Sequence, residues 1–358
     1  MENLNTRNQK IINAVIEKAN KVCPDSLALI GICGSFATGD FYERSDLDLL
    51  VLINDDMGWQ LSGTFIQDDL EVGHDIYCTT WDDLREASLY GDPNIAKLMD
   101  SKIVYCADEK YMKELLSLRQ KAKDILSVPF SEEDYIKAEK MLQKAEHFYF
   151  EAMAAEDRAN IRVQAGYALY YIENAVALLN KRYFKYGTKR AYEELTQMKK
   201  RPRKITEMIE SVAAGETARE VRLALTALIR ETKRVFEKAK KSLPVHKRPA
   251  SKDSLSGTYE EMFSNWRNKM YLAAETGNRH LAYMSMISLS AMLEEINGET
   301  DIAQYRVFDG YDPRDLQKTA LAFDRFLEKY LEEYKKVGLR PERYKNIDEF
   351  AEQYRKIL

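Results

Sequence analysis

Two carboxylates, Asp46 and Asp48, stand at the opening of an apolar run, Leu49-Leu-Val-Leu-Ile53. Along a strand, residues i and i+2 share a face, so the two acids project together. Like charges at that range raise a pKa or cost stability unless a cation neutralises them. A divalent metal resolves the conflict, and Mg²⁺ takes oxygen ligands, usually one or two carboxylates with phosphate oxygens and water. Upstream, Gly34 and Ser35 close the run Leu29-Ile-Gly-Ile-Cys33, and nine residues separate Ser35 from Ser45. Glycine lets the backbone approach a ligand closely, and Ser35 offers a hydroxyl and an N–H to a phosphate. Ser-Asp-x-Asp alone also caps helices and fills loops. The conjunction of strand, Gly-Ser, spacer and paired acids points to chemistry on a metal-bound phosphate chain.

A third carboxylate on a neighbouring strand would complete a two-metal clamp. Asp75, in Gly73-His-Asp-Ile-Tyr-Cys78, is the candidate, because a lone acid in an apolar strand is otherwise costly. Its neighbours His74 and Ile76 are expected on the opposite face, and Asp68, Asp69 and Glu71 lie close by. The expected catalytic and metal-holding set is Asp46, Asp48 and Asp75.

These side chains need a small sheet to hold them. Residues 6–21 carry a helical stripe of Ile11, Ile12, Ala14, Val15 and Ala19, ended by Pro24 and Asp25. Residues 27–33, 46–53 and 70–79 read as strands, 81–89 as a short helix and 102–106 as an edge strand. After about Lys110 the periodicity turns helical, over residues 110–126, 131–155, 160–185, 189–198, 205–213 and 217–243. Residues 242–257 hold Pro244 and Pro249 and read as a linker. Helices then follow over 259–275, 279–296, 315–337 and 347–357. The expected fold is α+β. A small mixed-sheet catalytic head over residues 1–110 precedes a substrate-binding helical bundle over 111–245 and a C-terminal helical domain over 255–358.

The totals limit the function classes. Lys plus Arg number 54 against 58 Asp plus Glu, a formal charge of −4. That balance disfavours a dedicated nucleic-acid binder and leaves room for one local basic pocket. Cys23, Cys33, Cys78 and Cys106 form no C-x-x-C pair, and His74, His147, His246 and His280 show no ligand spacing. Buried reduced thiols in a cytoplasmic protein are expected, without zinc. The polar N-terminus lacks the apolar core of a signal peptide, and no apolar stretch of about 18 residues predicts a membrane span. The run Lys199-Lys-Arg-Pro-Arg-Lys204 reads as a solvated loop, and Tyr167, Tyr170 and Tyr171 as helix packing with polar tips.

The residues above resemble the nucleotidyltransferase superfamily, which includes DNA polymerase beta and the antibiotic nucleotidyltransferases. The family pattern is an apolar strand, Gly-Ser, a spacer, Asp-x-Asp and a later Asp. Gly34, Ser35, Asp46, Asp48 and Asp75 match it, within about residues 8–108. The resemblance implies a mixed sheet flanked by helices and Mg²⁺ in a two-metal site. It also implies transfer of a nucleoside monophosphate from ATP or another triphosphate, with release of pyrophosphate. Relatives often carry an Arg three residues after the Ser, where this chain has Thr38 followed by Gly39. Arg44, or a basic residue of the helical part, is then expected to compensate. The segment from Glu173 to Arg190 looks like the helical domain that follows the head in small-substrate members. Its Lys185, Lys189 and Arg190 either reach a phosphate or form a solvated helix end. The nucleotide-binding set expected is Gly34, Ser35, Arg44 and Lys189.

In aminoglycoside-modifying relatives a Glu of the helical domain serves as general base. Glu146, Glu151, Glu173 and Asp75 all remain open for that role. The acceptor implied is a hydroxyl of a small molecule, such as an aminoglycoside or lincosamide, receiving AMP. The alternative is a protein partner, adenylylated as in toxin–antitoxin pairs. The Arg-x4-His spacing of a fused RNase-type toxin is missing, and the presence of all the candidate acids disfavours a non-catalytic sensor. A homodimer is left open.

Overall fold

The helix α1 (Leu4–Val22) buries Arg7, Asn8, Ile12, Val15 and Ala19, a stripe at helical spacing that leads the chain onto the sheet. A computed structural model describes residues 4–244 and 247–356, so His246 and the Ile357 end of the last expected helix lie outside the described residues. Strand β1 (Leu27–Ile32) follows, then a short helix α2 (Gly34–Thr38) and strand β2 (Leu49–Ile53). The strands β3 (Gly63–Gln67), β4 (Val72–Ile76), β5 (Cys78–Thr80) and β6 (Lys102–Cys106) complete the set.

Four strands form one mixed sheet in the order β5-β2-β1-β6. β1 lies antiparallel to β2 and β6, and β5 runs parallel to β2. In β2 the side chains of Leu49, Val51 and Ile53 join the core under α1, while Leu50 and Leu52 join the core on the other face. Both faces are therefore covered, which is why the run is apolar throughout. Lys102–Cys106 is an edge strand, as its sequence predicts.

Two boundaries differ from expectation. The run 46–53 becomes a strand only from Leu49, because β1 ends at its partner Ile32 and the chain turns into α2. Residues 70–79 split at Tyr77 into β4 and β5. β4 pairs with β3 in a separate two-stranded sheet, and only β5 joins the main sheet, beside β2.

The helices α3 (Trp81–Ser88), α4 (Ala96–Asp100) and α5 (Glu109–Ser127) pack with the main sheet. Then come α6 (Glu132–Ala154), α7 (Arg158–Leu179), α8 (Ala191–Gln197), α9 (Ile205–Ala214) and α10 (Ala218–Lys241). Leu29, Leu50 and Leu52 share one apolar core with Leu142, Ile172, Leu179 and Leu228, so sheet and bundle are continuous within the unit Met1–Pro244. The helix expected over 160–185 stops at Leu179. There the Asn180 amide donates to the carbonyls of Val176 and Lys200, and Lys181 takes φ 51. That left-handed turn is a helix C-terminal device, and it frees the following residues to run back toward the head.

The second unit, Val245–Leu358, has its own core around Leu289, Leu293, Phe323 and Tyr330. The two long helices Arg279–Glu299 and Leu316–Lys336 supply most of it. The helix expected over 259–275 is interrupted by a π-turn at Met262–Arg267, where Arg267 pairs with Asp324 at 2.6 Å and stands over the rings of Phe263 and Tyr271. No described helix is long and apolar enough to cross a membrane.

Candidate functional site

The site begins where β1 stops. Cys33 stays extended and its N–H donates to the carbonyl of Asp48 at 2.9 Å, one step beyond the last strand pair. Gly34 then takes φ +56 and opens α2. A Cβ at Gly34 would stand 2.7 Å from the Asp48 Cγ and overlap its carboxylate. Glycine is required there twice over, by the backbone angle and by the approach of the acid. α2 is one turn long, and Gly39 at φ 86 closes it. As at any helix start, its first N–H groups have no acceptor within the helix.

On the opposite side Leu47 and Leu49 are buried while Asp46 and Asp48 face outward, so the strand alternation continues through residues that have lost their ladder partners. Both acids open onto a cavity of about 430 Å³, lined also by Gly34, Ser35, Thr38, Arg44, Asn94, Lys97, Asp100 and residues 184–189. Desolvation by the cavity walls pushes the Asp48 carboxyl up, the charge of Asp46 pushes it further, and Lys97 opposes both. The pair repels itself, as the sequence predicts, and is chemically suited to a divalent cation. Among the described residues no three His, Cys, Asp or Glu groups converge on a metal-sized point, so a cation here would take its other ligands from substrate and water.

The segment bearing the acids is held from beneath by Arg7. Its guanidinium donates to the Ser45 carbonyl at 2.8 Å and to Asn8 Oδ1 at 2.9 Å, and it stands over the Phe36 ring. Burial lowers the Arg7 pKa, and the charges of Asp46 and Asp69 oppose that. Ser45 in turn accepts from the N–H of Tyr42 at 2.9 Å and closes the turn before Asp46. Sequence reasoning passed over Arg7. The signal was present, because Arg7 precedes Ile11 by one helical turn, on the edge of the apolar stripe of α1.

The structure brings Gly34, Ser35, Arg44, Asp46, Asp48 and Lys189 to one cavity. It does not bring Asp75 there. Asp75 is exposed on β4, opposite Thr64 of β3, and its strand is not bonded to β2. The alternation expected around it is real, but its sense places His74 on the inner face. His74 stacks on Phe65, lies 3.3 Å from Gln67 Oε1 and has its pKa lowered by burial and then by Arg7, with Asp46 opposing.

Of the cations foreseen, Arg44 is exposed and pairs with Glu71 at 3.5 Å. Lys189 donates to the Asp40 carbonyl at 2.6 Å, and Arg190 bonds the Asp40 carboxylate at 3.1 Å. Lys185 pairs with Asp100 at 3.4 Å. The Phe184 N–H donates to the Pro93 carbonyl at 3.2 Å and the Tyr90 hydroxyl to the Arg182 carbonyl at 2.6 Å, so the turn after α7 is anchored to the head. Asn94, Lys97 and Asp100 also line the cavity and escaped notice. Lys97 and Asp100 stand three apart, one helical turn, just after the Asp92-Pro-Asn94 turn.

The candidate bases separate. Glu146 pairs with Lys233 at 2.6 Å, and Glu151 is exposed. Glu173 is held away from solvent, and burial pushes its carboxyl up to about 7. None of the three lines the cavity. The Cys33 thiol at the cavity wall is pushed up to about 12 by burial, which makes it a poor nucleophile.

A family model described as "Nucleotidyltransferase domain" matches residues 10–144, and one described as "KNTase C-terminal domain" matches residues 132–242. No curated protein matches the chain. Among solved structures, a nucleotidyltransferase-like protein from Exiguobacterium sibiricum is similar at 12% identity and a TM-score of 0.34, covering 76% of this chain and 92% of that one.

Proposed function

From the premise that the chain belongs to the nucleotidyltransferase superfamily, and is an enzyme of that kind, we propose that it transfers AMP from Mg²⁺-bound ATP to a hydroxyl of a small molecule. The observation that carries the reading is the meeting of two elements at one cavity: the Asp46/Asp48 pair, and the Gly34-Ser35 turn that Asp48 overhangs.

On this reading Asp46 and Asp48 hold the metal. When bound, Mg²⁺ neutralises the acids and offsets charge on the phosphates. Gly34 and Ser35 present N–H and hydroxyl donors to phosphate oxygens, and Arg44 and Lys189 flank the chain of phosphates. The acceptor oxygen bonds to the α-phosphorus, the bond from that phosphorus to the bridging oxygen of the β-phosphate breaks, and pyrophosphate leaves. The acceptor's proton passes to a carboxylate of this chain or to water. None of the Glu candidates lines the cavity, so a base among Glu146, Glu151 and Glu173 would have to be brought to the acceptor on binding. Asp75 enters only if β4 moves, since its side chain is exposed and off the cavity wall.

The residue ranges 1–110 for the nucleotide and 111–245 for the acceptor are part of the same proposal, with 255–358 as an added helical domain. The match to a KNTase C-terminal domain supports an antibiotic-like acceptor. The test is to incubate the protein with Mg²⁺, labelled ATP and a panel of aminoglycosides and lincosamides, and to follow pyrophosphate. Release with an acceptor, abolished in Asp48→Ala, is the expected result. No release with any small acceptor, alongside labelling of a co-expressed protein, would overturn the small-molecule acceptor in favour of a protein.

A further inference from the structure

Four cationic side chains line the cavity, and their partners differ. Arg44 pairs with Glu71, Lys185 with Asp100, and Lys189 donates to the Asp40 carbonyl while standing over the Tyr42 ring. Lys97 has no ion pair among the described residues. Its ammonium stands 5.5 Å from the centre of the Tyr77 ring, a contact that orients a charge without neutralising it. It nevertheless lies close enough to act electrostatically on both Asp48 and Cys33. Its helix, α4, ends at Asp100 just before the edge strand β6, so its position is set by the sheet and not by a loose loop.

A triphosphate brings more negative charge than one divalent cation on two carboxylates can offset. Thr38, where relatives often have an Arg, turns its hydroxyl onto the carbonyls of Gly34 and Ser35 at 3.2 and 3.3 Å. Beside Arg44 and Lys189, the cation best placed to meet the remaining charge is the one whose ammonium holds neither an ion pair nor a hydrogen bond among the described residues, which is Lys97. We propose that Lys97 binds the β- or γ-phosphate of the nucleoside triphosphate, as a point-charge ligand from the head rather than from the helical bundle. This rests on the nucleotidyltransferase reading of the same cavity.

The test measures binding by calorimetry, with the full chain, Mg²⁺ and a non-hydrolysable ATP analogue, and in parallel with AMP. Lys97→Gln and Lys97→Met both remove the charge from a half-exposed position. Each is expected to weaken the triphosphate analogue about tenfold or more and leave AMP within about twofold, with Lys97→Arg restoring the affinity. Unchanged triphosphate affinity in both charge-removing variants would overturn the assignment while leaving the reading of the site intact. Equal losses for the analogue and AMP would also overturn it, since they point away from the terminal phosphates. If the unmodified protein binds no Mg²⁺-triphosphate, the underlying reading fails, and this inference with it.

Discussion

Gly34 and Asp48 occupy each other's space: the carboxylate of Asp48 lies where a side chain at position 34 would be, and the Cys33 N–H next to it is bonded to the Asp48 carbonyl. The turn that offers N–H groups and the acid suited to a metal are thereby fixed relative to each other by backbone. The backbone bond fixes the turn and the Asp48 backbone, and the Asp48 rotamer then lays the carboxylate over Gly34.

Gly34→Ala tests this relation. The added Cβ meets Asp48 and also requires an L-residue at φ +56. The expected cost is about 2 kcal/mol or more, with nucleotide transfer reduced at least a hundredfold because Asp48 is displaced. Thermal unfolding and pyrophosphate release measure the two. Retained turnover in a folded variant would show that the approach is incidental.

Asp48→Asn separates electrostatic cost from function. The Asp48 carboxyl is raised by desolvation and then by Asp46. A raised carboxyl means the folded state binds its proton more tightly than the unfolded state, so stability falls as pH rises through that range. In metal-free buffer at pH 7 the Asn variant should therefore melt above the parent, and the gap should close near pH 3. Added Mg²⁺ with a triphosphate should stabilise only the parent. A variant that melts lower than the parent without metal would contradict the repulsion.

Arg7→Leu should damage a site it does not line. The change removes the donor to the Ser45 carbonyl and to Asn8, and should cost about 2 kcal/mol in denaturant unfolding. Turnover should fall in the folded protein as the segment before Asp46 loosens. Wild-type kinetics at matched folded fraction would reduce Arg7 to a purely structural residue.

Glu173→Gln addresses burial on α7. Glu173 is raised from 4.5 to about 7 by desolvation, so the parent loses stability as pH rises from about 4.5 to 7. The Gln variant escapes that loss. At pH 8 it should be more stable than the parent by up to about 3 kcal/mol, and near pH 4 the two should coincide. Chemical denaturation at those two pH values decides it, and a constant difference between them would mean that Glu173 is not held in its neutral form.

Much of this protein is legible locally. Apolar runs bounded by Gly, Asn and Asp marked β1 and β2, and helical periodicity marked nearly all of the helices beyond Lys110. The spacing of Asp46 and Asp48 determined that they share a face, because alternation is a property of the extended backbone. The Gly34-Ser35 turn was equally visible, since glycine at a strand end is a local need. Sequence by itself therefore determined that Asp46 and Asp48 share a face, that a turn follows β1, and the α+β order. Tertiary structure decided what else meets them. Residues 72–76 and 78–80 look like one strand in sequence, yet pairing with β3 takes the first part out of the main sheet and leaves Asp75 exposed. Arg7 supports the segment of the acids from α1, Lys97 and Asp100 reach the cavity from α4, and Lys185 and Lys189 come from a turn about 140 residues beyond the acids. Which side chains converge there depends on strand order and on where α7 stops, and those follow from pairings between residues distant in the chain.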